Sequence, residues 1–278
     1  MTGRRKVRSG LFLRSTDVGT GIDRTNADWP YPRLVAHRCG GTLAPENTLA
    51  GFDACKRYGY RMVEFDAKLS ADDHLYLLHD DTLDRTTNGH GPAAEHTWQE
   101  LAKLDAGSWR DAAFAGERLP TLADAAARCK RDGIAANIEI KPCPGRDVIT
   151  GQLVAGAALA LWQDQTPPPL LSSFSFEALA AAREAAPTLP RGMLFEAVPD
   201  DWLRIVRELE CVSLHASHKH LTAERVAEIR AQGLRVLVYT VNDPDRARLL
   251  AQWGVDMICT DRIDMLAHDM LSTPRNLA

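Results

Sequence analysis

Residues 62–81, MVEFDAKLSADDHLYLLHDD, gather several groups capable of polar chemistry on one short piece of chain. Val63, Phe65, Ala67 and Leu69 alternate with Glu64, Asp66, Lys68 and Ser70, the period-two pattern of a strand, so Glu64 and Asp66 point the same way. Ser70 to Asp73 is rich in turn formers, and Leu75 to Leu78 is a second extended run that ends at His79. A turn centred between Asp72 and Asp73 sets Asp66 opposite His79, so two carboxylates and an imidazole share one patch. Like charges a few ångströms apart resist joint ionisation, and a divalent cation is the simplest group that relieves them. Asp80 and Asp81 stand close enough in sequence to support such a cation from outside its ligand shell.

A scaffold must hold these groups, and the chain reads as alternating strands and helices. Leu34 to Ala36 is a short strand that gives way to His37, Arg38 and Cys39 before Gly40 and Gly41. Pro45-Glu46-Asn47-Thr48 then leads into a helix, with Asn47 or Thr48 as its N-cap and Gly59 as its stop. Residues 82–120 are irregular, and a segment that long reads as a small insertion or lid. From residue 121 the alternation is regular, with later strands opening near 135, 170, 193, 212, 236 and 256. Together with the runs at 34 and 62 this makes eight β/α units, which predicts a closed parallel (β/α)8 TIM barrel, the run at Leu75 being an extra antiparallel hairpin strand.

In such barrels reactive groups sit at the carboxyl ends of strands. His37 closes the first strand, Asp66 ends the second, and Glu139 and Lys141 share a face at the end of the third. A charged pair pointing into a barrel mouth is costly without a use. His215, His218 and His220 cluster after the sixth strand, but their spacing without a carboxylate makes a poor metal site and reads as pocket lining or surface.

The chain has 278 residues, 45% apolar and 25% charged, enough for one barrel-sized core. A net charge of -4 and a pI near 6.1 argue against a nucleic-acid partner. No apolar run approaches the roughly 20 residues that span a bilayer. Six scattered cysteines without a CxxC pair read as reduced thiols, and a cytoplasmic location follows. Residues 1–32 hold only Leu11, Phe12 and Leu13 as an apolar cluster, and are taken as a flexible extension or a mis-assigned start before a barrel domain at 33–278.

Read in order, AHRCGG, LAPENT, VEFDAKLS, LLHDDTLDRTTNG, NIEIKP, SSF, VYTVN and GVDMICTD closely resemble the glycerophosphodiester phosphodiesterase family, from about Leu34 to Met265. The wording of LAPENTLAGF looks most like the cytosolic bacterial member associated with glycerol-3-phosphate uptake. That resemblance implies that Glu64, Asp66 and Glu139 bind a divalent cation, Mg²⁺ or Ca²⁺, and that His37 and His79 are the acid and base pair. It further implies that Arg38 and Lys141 hold the phosphate of a small glycerophosphodiester, which is cleaved to sn-glycerol 3-phosphate and an alcohol. Phe174 and Tyr239 would offer the substrate an aromatic wall, while Glu46 and Asn47 would support Arg38 and cap its helix. Cys39 stands where the family usually has glycine, which bears on loop geometry.

Two other readings make different demands on the sequence. A catalytically inactive barrel that binds a phosphorylated ligand would lack at least one of the two histidines or three carboxylates, and all five are present. A lysophospholipase D-like enzyme needs an apolar surface near the mouth, where residues 82–120 offer only Trp98, Trp109 and Phe114. No spacing in the chain speaks to its oligomeric state.

Overall fold

The computed structural model describes residues 29–271. Among the described residues there are nine strands: β1 (Leu34–Ala36), β2 (Met62–Leu69), β3 (Leu75–Leu77), β4 (Ala135–Ile140), β5 (Leu170–Ser173), β6 (Arg191–Phe195), β7 (Ser213–Ser217), β8 (Arg235–Tyr239) and β9 (Met257–Thr260). All but β3 run parallel, in the order β1, β9, β8, β7, β6, β5, β4, β2, and pairing of β1 with β2 closes the ring. This is the expected (β/α)8 barrel, with β3 antiparallel on the end of β2 that projects beyond the closed ring.

Seven of the helices lie between barrel strands: α1 (Leu49–Arg57), α3 (Leu122–Asp132), α4 (Asp147–Leu161), α5 (Phe176–Ala185), α6 (Trp202–Glu208), α7 (Ala223–Ala231) and α8 (Pro244–Gln252). Short polar side chains start most of them: Thr48, Thr121, Ser175, Thr222 and Asp243 each accept a backbone N–H from the first turn. Phe52, Phe65, Ile138, Leu171, Leu179 and Val236 belong to the core between helices and barrel. Inside the barrel the lower layers are apolar, with Val35, Met62, Leu170, Leu237 and Met257 in contact.

Of the expected extension, residues 1–28 lie outside the described residues, as do 272–278 at the other end. Tyr31 is buried with the apolar residues inside the barrel, and its hydroxyl donates to the Pro168 carbonyl at 2.8 Å. Within residues 82–120, Thr82 pairs with Pro92, and a short helix α2 (Trp98–Leu101) has one single-turn helix before it and one after it. Leu83, Ala93, Leu101, Ala106 and Leu119 pack with Tyr76 and Leu78 into an apolar cluster of their own. The segment is thereby anchored on β3.

The hairpin register differs from the expectation by one residue. Ala67 pairs with Leu77 and Leu69 with Leu75, so Asp66 faces Leu78, whose N–H donates to the Asp66 carbonyl at 3.2 Å. The loop between Ser70 and His74 holds an odd number of residues, and Asp73 takes the left-handed conformation, φ 61°, that lets such a loop close. His79 therefore lies past the strand and reaches the site from a loop.

Candidate active site

Parallel pairing places three carboxylates side by side. Asp66 on β2 stands beside Glu139 on β4, and Glu64 lies one inward step below Asp66. One oxygen from each of Glu64, Asp66 and Glu139 lies within 4.8 Å of the others, and the Glu64 and Asp66 side chains are at least nine-tenths buried while that of Glu139 is 12% exposed. Asn47, itself at φ 56°, donates Nδ2 to Asp66 at 2.8 Å and accepts the Asp66 N–H at 3.0 Å. Thr48, not Asn47, caps α1. Lys141 donates to Glu139 at 2.8 Å and lies 3.9 Å from Asp66.

The charge balance of this cluster is incomplete. Burial first and the Asp66 charge second push Glu64 up to about 8, and the same two causes raise Glu139. For Asp66 burial acts upward but is outweighed by Lys141, His79, Arg38 and the Asn47 hydrogen bond, so its pKa falls. Glu64 accepts the Arg38 backbone N–H through one oxygen at 2.9 Å, while its other oxygen is buried without a hydrogen-bond partner. A buried oxygen left unpaired among three carboxylates fits a cation bound by hard oxygen donors.

Each histidine is held by a carboxylate. Nδ1 of His37 lies 2.6 Å from Asp261 Oδ1, and its Nε2 faces Glu64 at 3.8 Å. Nδ1 of His79 lies 2.6 Å from Asp80 Oδ1, and its Nε2 is 3.1 Å from Lys141 Nζ. An ammonium donates only, so His79 in this arrangement is neutral, with its proton on Nδ1. Their tuning is opposite. Burial acts to lower His37 but the Asp261 hydrogen bond and the Glu64 charge outweigh it and raise the group, whereas burial leads in lowering His79.

Arg38, at φ 47°, donates to Glu46 at 2.9 Å and lies 3.9 Å from Asp66. Cys39 follows at φ 75°, a conformation that favours glycine, and its Cβ fits because Gly51 opposite has none: a Cβ built there would lie 2.8 Å from it. Burial, with Glu64 adding to it, raises the Cys39 thiol well above its usual range, so it is not a ready nucleophile. Phe174 is 44% exposed, edge-on to Tyr239 and 5.5 Å below Lys141 Nζ, while the Tyr239 hydroxyl donates to the Phe195 carbonyl.

Asp261 and Arg85 carry important parts of this geometry and were not singled out from sequence. Asp261 follows β9 as His37 follows β1, and the rule that strand ends carry chemistry could have flagged it. Arg85, in the irregular segment, donates to Asp80 at 2.6 and 2.9 Å and to both Glu46 oxygens at 2.8 Å, which joins His79 to Arg38 through one guanidinium. Nothing in its surroundings announces this. Asp80 therefore serves His79 rather than the carboxylate cluster, and Asp81 pairs with the buried Lys68 at 2.9 Å. His215 is fully buried, lowered to about 3 by burial and bonded to Ser213, so it is neither pocket lining nor surface. Beside Arg38 and Asp261 a cavity of about 330 Å³ opens, with Trp109 and Arg110 among its walls.

A barrel mouth with clustered carboxylates, two carboxylate-held histidines and two cations is the equipment of a phosphoric diester hydrolase. The glycerophosphoryl diester phosphodiesterase family matches residues 37–265. A glycerophosphodiester phosphodiesterase of Caldanaerobacter subterraneus is 33% identical over 84% of this chain and 96% of its own. One from Bacillus subtilis is 31% identical over 83% and 84% respectively. Among solved structures, an Oleispira antarctica phosphodiesterase in complex with the product sn-glycerol-3-phosphate superposes with a TM-score of 0.79 and 34% identity, covering 87% of this chain and 96% of that one. The chain belongs to the glycerophosphoryl diester phosphodiesterase family.

Proposed function

We propose that the protein hydrolyses glycerophosphodiesters such as glycerophosphocholine and glycerophosphoethanolamine to sn-glycerol 3-phosphate and an alcohol. The observation that carries this reading is the pair of oppositely tuned histidine–carboxylate dyads beside the buried carboxylates. Glu64, Asp66 and Glu139 would hold the divalent cation, and an all-oxygen set favours Mg²⁺ or Ca²⁺. When bound, the cation neutralises phosphate charge that would otherwise repel the nucleophile.

Arg38 and Lys141 bind the phosphate by charge, and Phe174 with Tyr239 gives its glycerol an aromatic wall. His79, neutral, takes the proton of the nucleophile at Nε2 once Lys141 turns from it toward phosphate. His37, held protonated chiefly by Asp261, delivers its Nε2 proton to the departing alcohol. Asp80 and Asp261 engage Nδ1 of each ring, which leaves Nε2 as the exchanging atom in both. The nucleophile is water, or the glycerol 2-hydroxyl in a two-stage route through a cyclic phosphate. Residues 82–120 serve as one wall of the site, with Arg85 fastening it and the cavity at Trp109 receiving the alcohol.

Release of glycerol 3-phosphate from glycerophosphocholine, with and without chelator and beside His37→Ala and His79→Ala, tests the proposal. Loss of roughly 10²-fold or more in each variant is expected. Full activity in both removes the acid and the base.

A further inference from the structure

Next to the oxygen cluster lies a donor set of different chemistry. A ring nitrogen of His37, a carboxylate oxygen of Glu64 and Sγ of Cys259 lie within 4.8 Å of one another. Cys259 pairs with Val35 across the β1–β9 ladder, and two residues before Asp261 it projects to the same inner face. Three further features point to a ligand. Glu64 has a buried oxygen without a hydrogen-bond partner, the Cys259 side chain is 1% exposed, and His37 gives Nδ1 to a carboxylate while Nε2 faces the cluster. An imidazole so held on its far nitrogen is the usual form of a metal-ligating histidine.

We propose that His37, Glu64 and Cys259 form a second cation site, for a borderline-soft divalent ion of the zinc and cobalt class, which shares Glu64 with the hard-oxygen cluster. Thiolate and imidazole bind such ions far better than Mg²⁺ or Ca²⁺, so neighbouring donor sets sort ions by softness. Bond lengths near 2.3 Å to sulfur and 2.0 Å to nitrogen bring ligand atoms to roughly 3.5 Å apart, so the side chains close in by about 1 Å on binding. On binding, the S–H bond breaks, its proton leaves to solvent and a sulfur–metal bond forms, with no change of oxidation state. His37 likewise releases its Nε2 proton to solvent, and the ion takes the lone pair that this frees. That it silences hydrolysis rests on the function proposed above; that it binds does not.

Cobalt added to the metal-free full chain reads the site directly, because a thiolate ligand produces a near-ultraviolet charge-transfer band. The band is expected in the native protein and absent from Cys259→Ser and Cys259→Ala. Zinc-edge X-ray absorption of the native protein needs no variant and is expected to show one sulfur in the zinc shell. Zinc in the presence of excess Mg²⁺ is expected to lower the hydrolysis rate roughly tenfold or more. A missing band, a zinc shell without sulfur, or a band that persists in both variants overturns the site. A chain that shows the band but cleaves no glycerophosphodiester keeps the site and removes the functional reading instead.

Discussion

Nδ1 of His37 lies 2.6 Å from Oδ1 of Asp261, although 224 positions separate them in the chain. The strands that carry them, β1 and β9, are neighbours because the barrel closes there. The matching contact between His79 and Asp80 needs no closure, since those residues are adjacent. Two similar dyads thus arise from opposite extremes of sequence separation, and the first depends on the whole fold.

Asp261→Asn keeps the shape of that contact and removes its charge. In the mechanism proposed above His37 is the acid and must be protonated, so activity falls as pH rises through its pKa, which burial acts to lower but Asp261 holds above the ordinary histidine value. The variant is expected to move the alkaline limb of the kcat profile to lower pH and to leave the acid limb, set by His79, where it was. An alkaline limb that does not move refutes the role given to Asp261.

Arg85→Ala is expected to lower kcat by roughly 10²-fold, the scale on which about 1 Å of misplacement costs rate. Arg85 touches Asp80 and Glu46 together, so its loss releases His79 and Arg38 at once. Arg85→Lys should recover little, because one ammonium cannot bind two carboxylates in a fork. Rate measurements on both variants, beside circular dichroism to establish folding, decide it; native kcat in the alanine variant refutes the linkage.

Cation binding should be visible as stability. Glu64 is pushed up to about 8 by burial first and by Asp66 second, so a proton must leave before a cation enters and affinity rises as pH climbs through that value. At one hundred times Kd, a bound Mg²⁺ or Ca²⁺ is expected to stabilise the fold by about 2.7 kcal/mol. Calorimetry is expected to show a higher Tm with cation in the native protein and a smaller rise in Glu64→Gln. Equal rises in the two proteins would remove Glu64 from the site.

Gly151→Ala tests the packing that backs β4. A Cβ at Gly151 would lie 2.1 Å from the Ala178 carbonyl oxygen, so α4 and α5 must move apart to admit it. Destabilisation of about 1–3 kcal/mol is expected in denaturant titration. An unchanged midpoint would show that the helices separate at little cost.

Much of the molecule was legible in the sequence because its signals are local. Alternation in VEFDAKL put Glu64 and Asp66 on one face, and the repeat of β/α units led to a closed barrel whose strand ends carry Glu139 and Lys141. The irregular segment hid Arg85, since an arginine in a loop has no period to betray its partners.

What the sequence by itself determined is therefore which elements form and which faces their polar groups take, because strand period, helix caps and turn formers act over a few residues. Tertiary structure alone decided the partners. Closure of the ring joined His37 to Asp261, an odd-numbered loop shifted His79 by one position, and Arg85 reached across from outside the barrel to bind both Asp80 and Glu46. The His37–Asp261 and Arg85–Glu46 contacts depend on distances between segments far apart in the chain, which local propensities do not encode, whereas the hairpin loop is local and turns on the left-handed conformation that Asp73 takes.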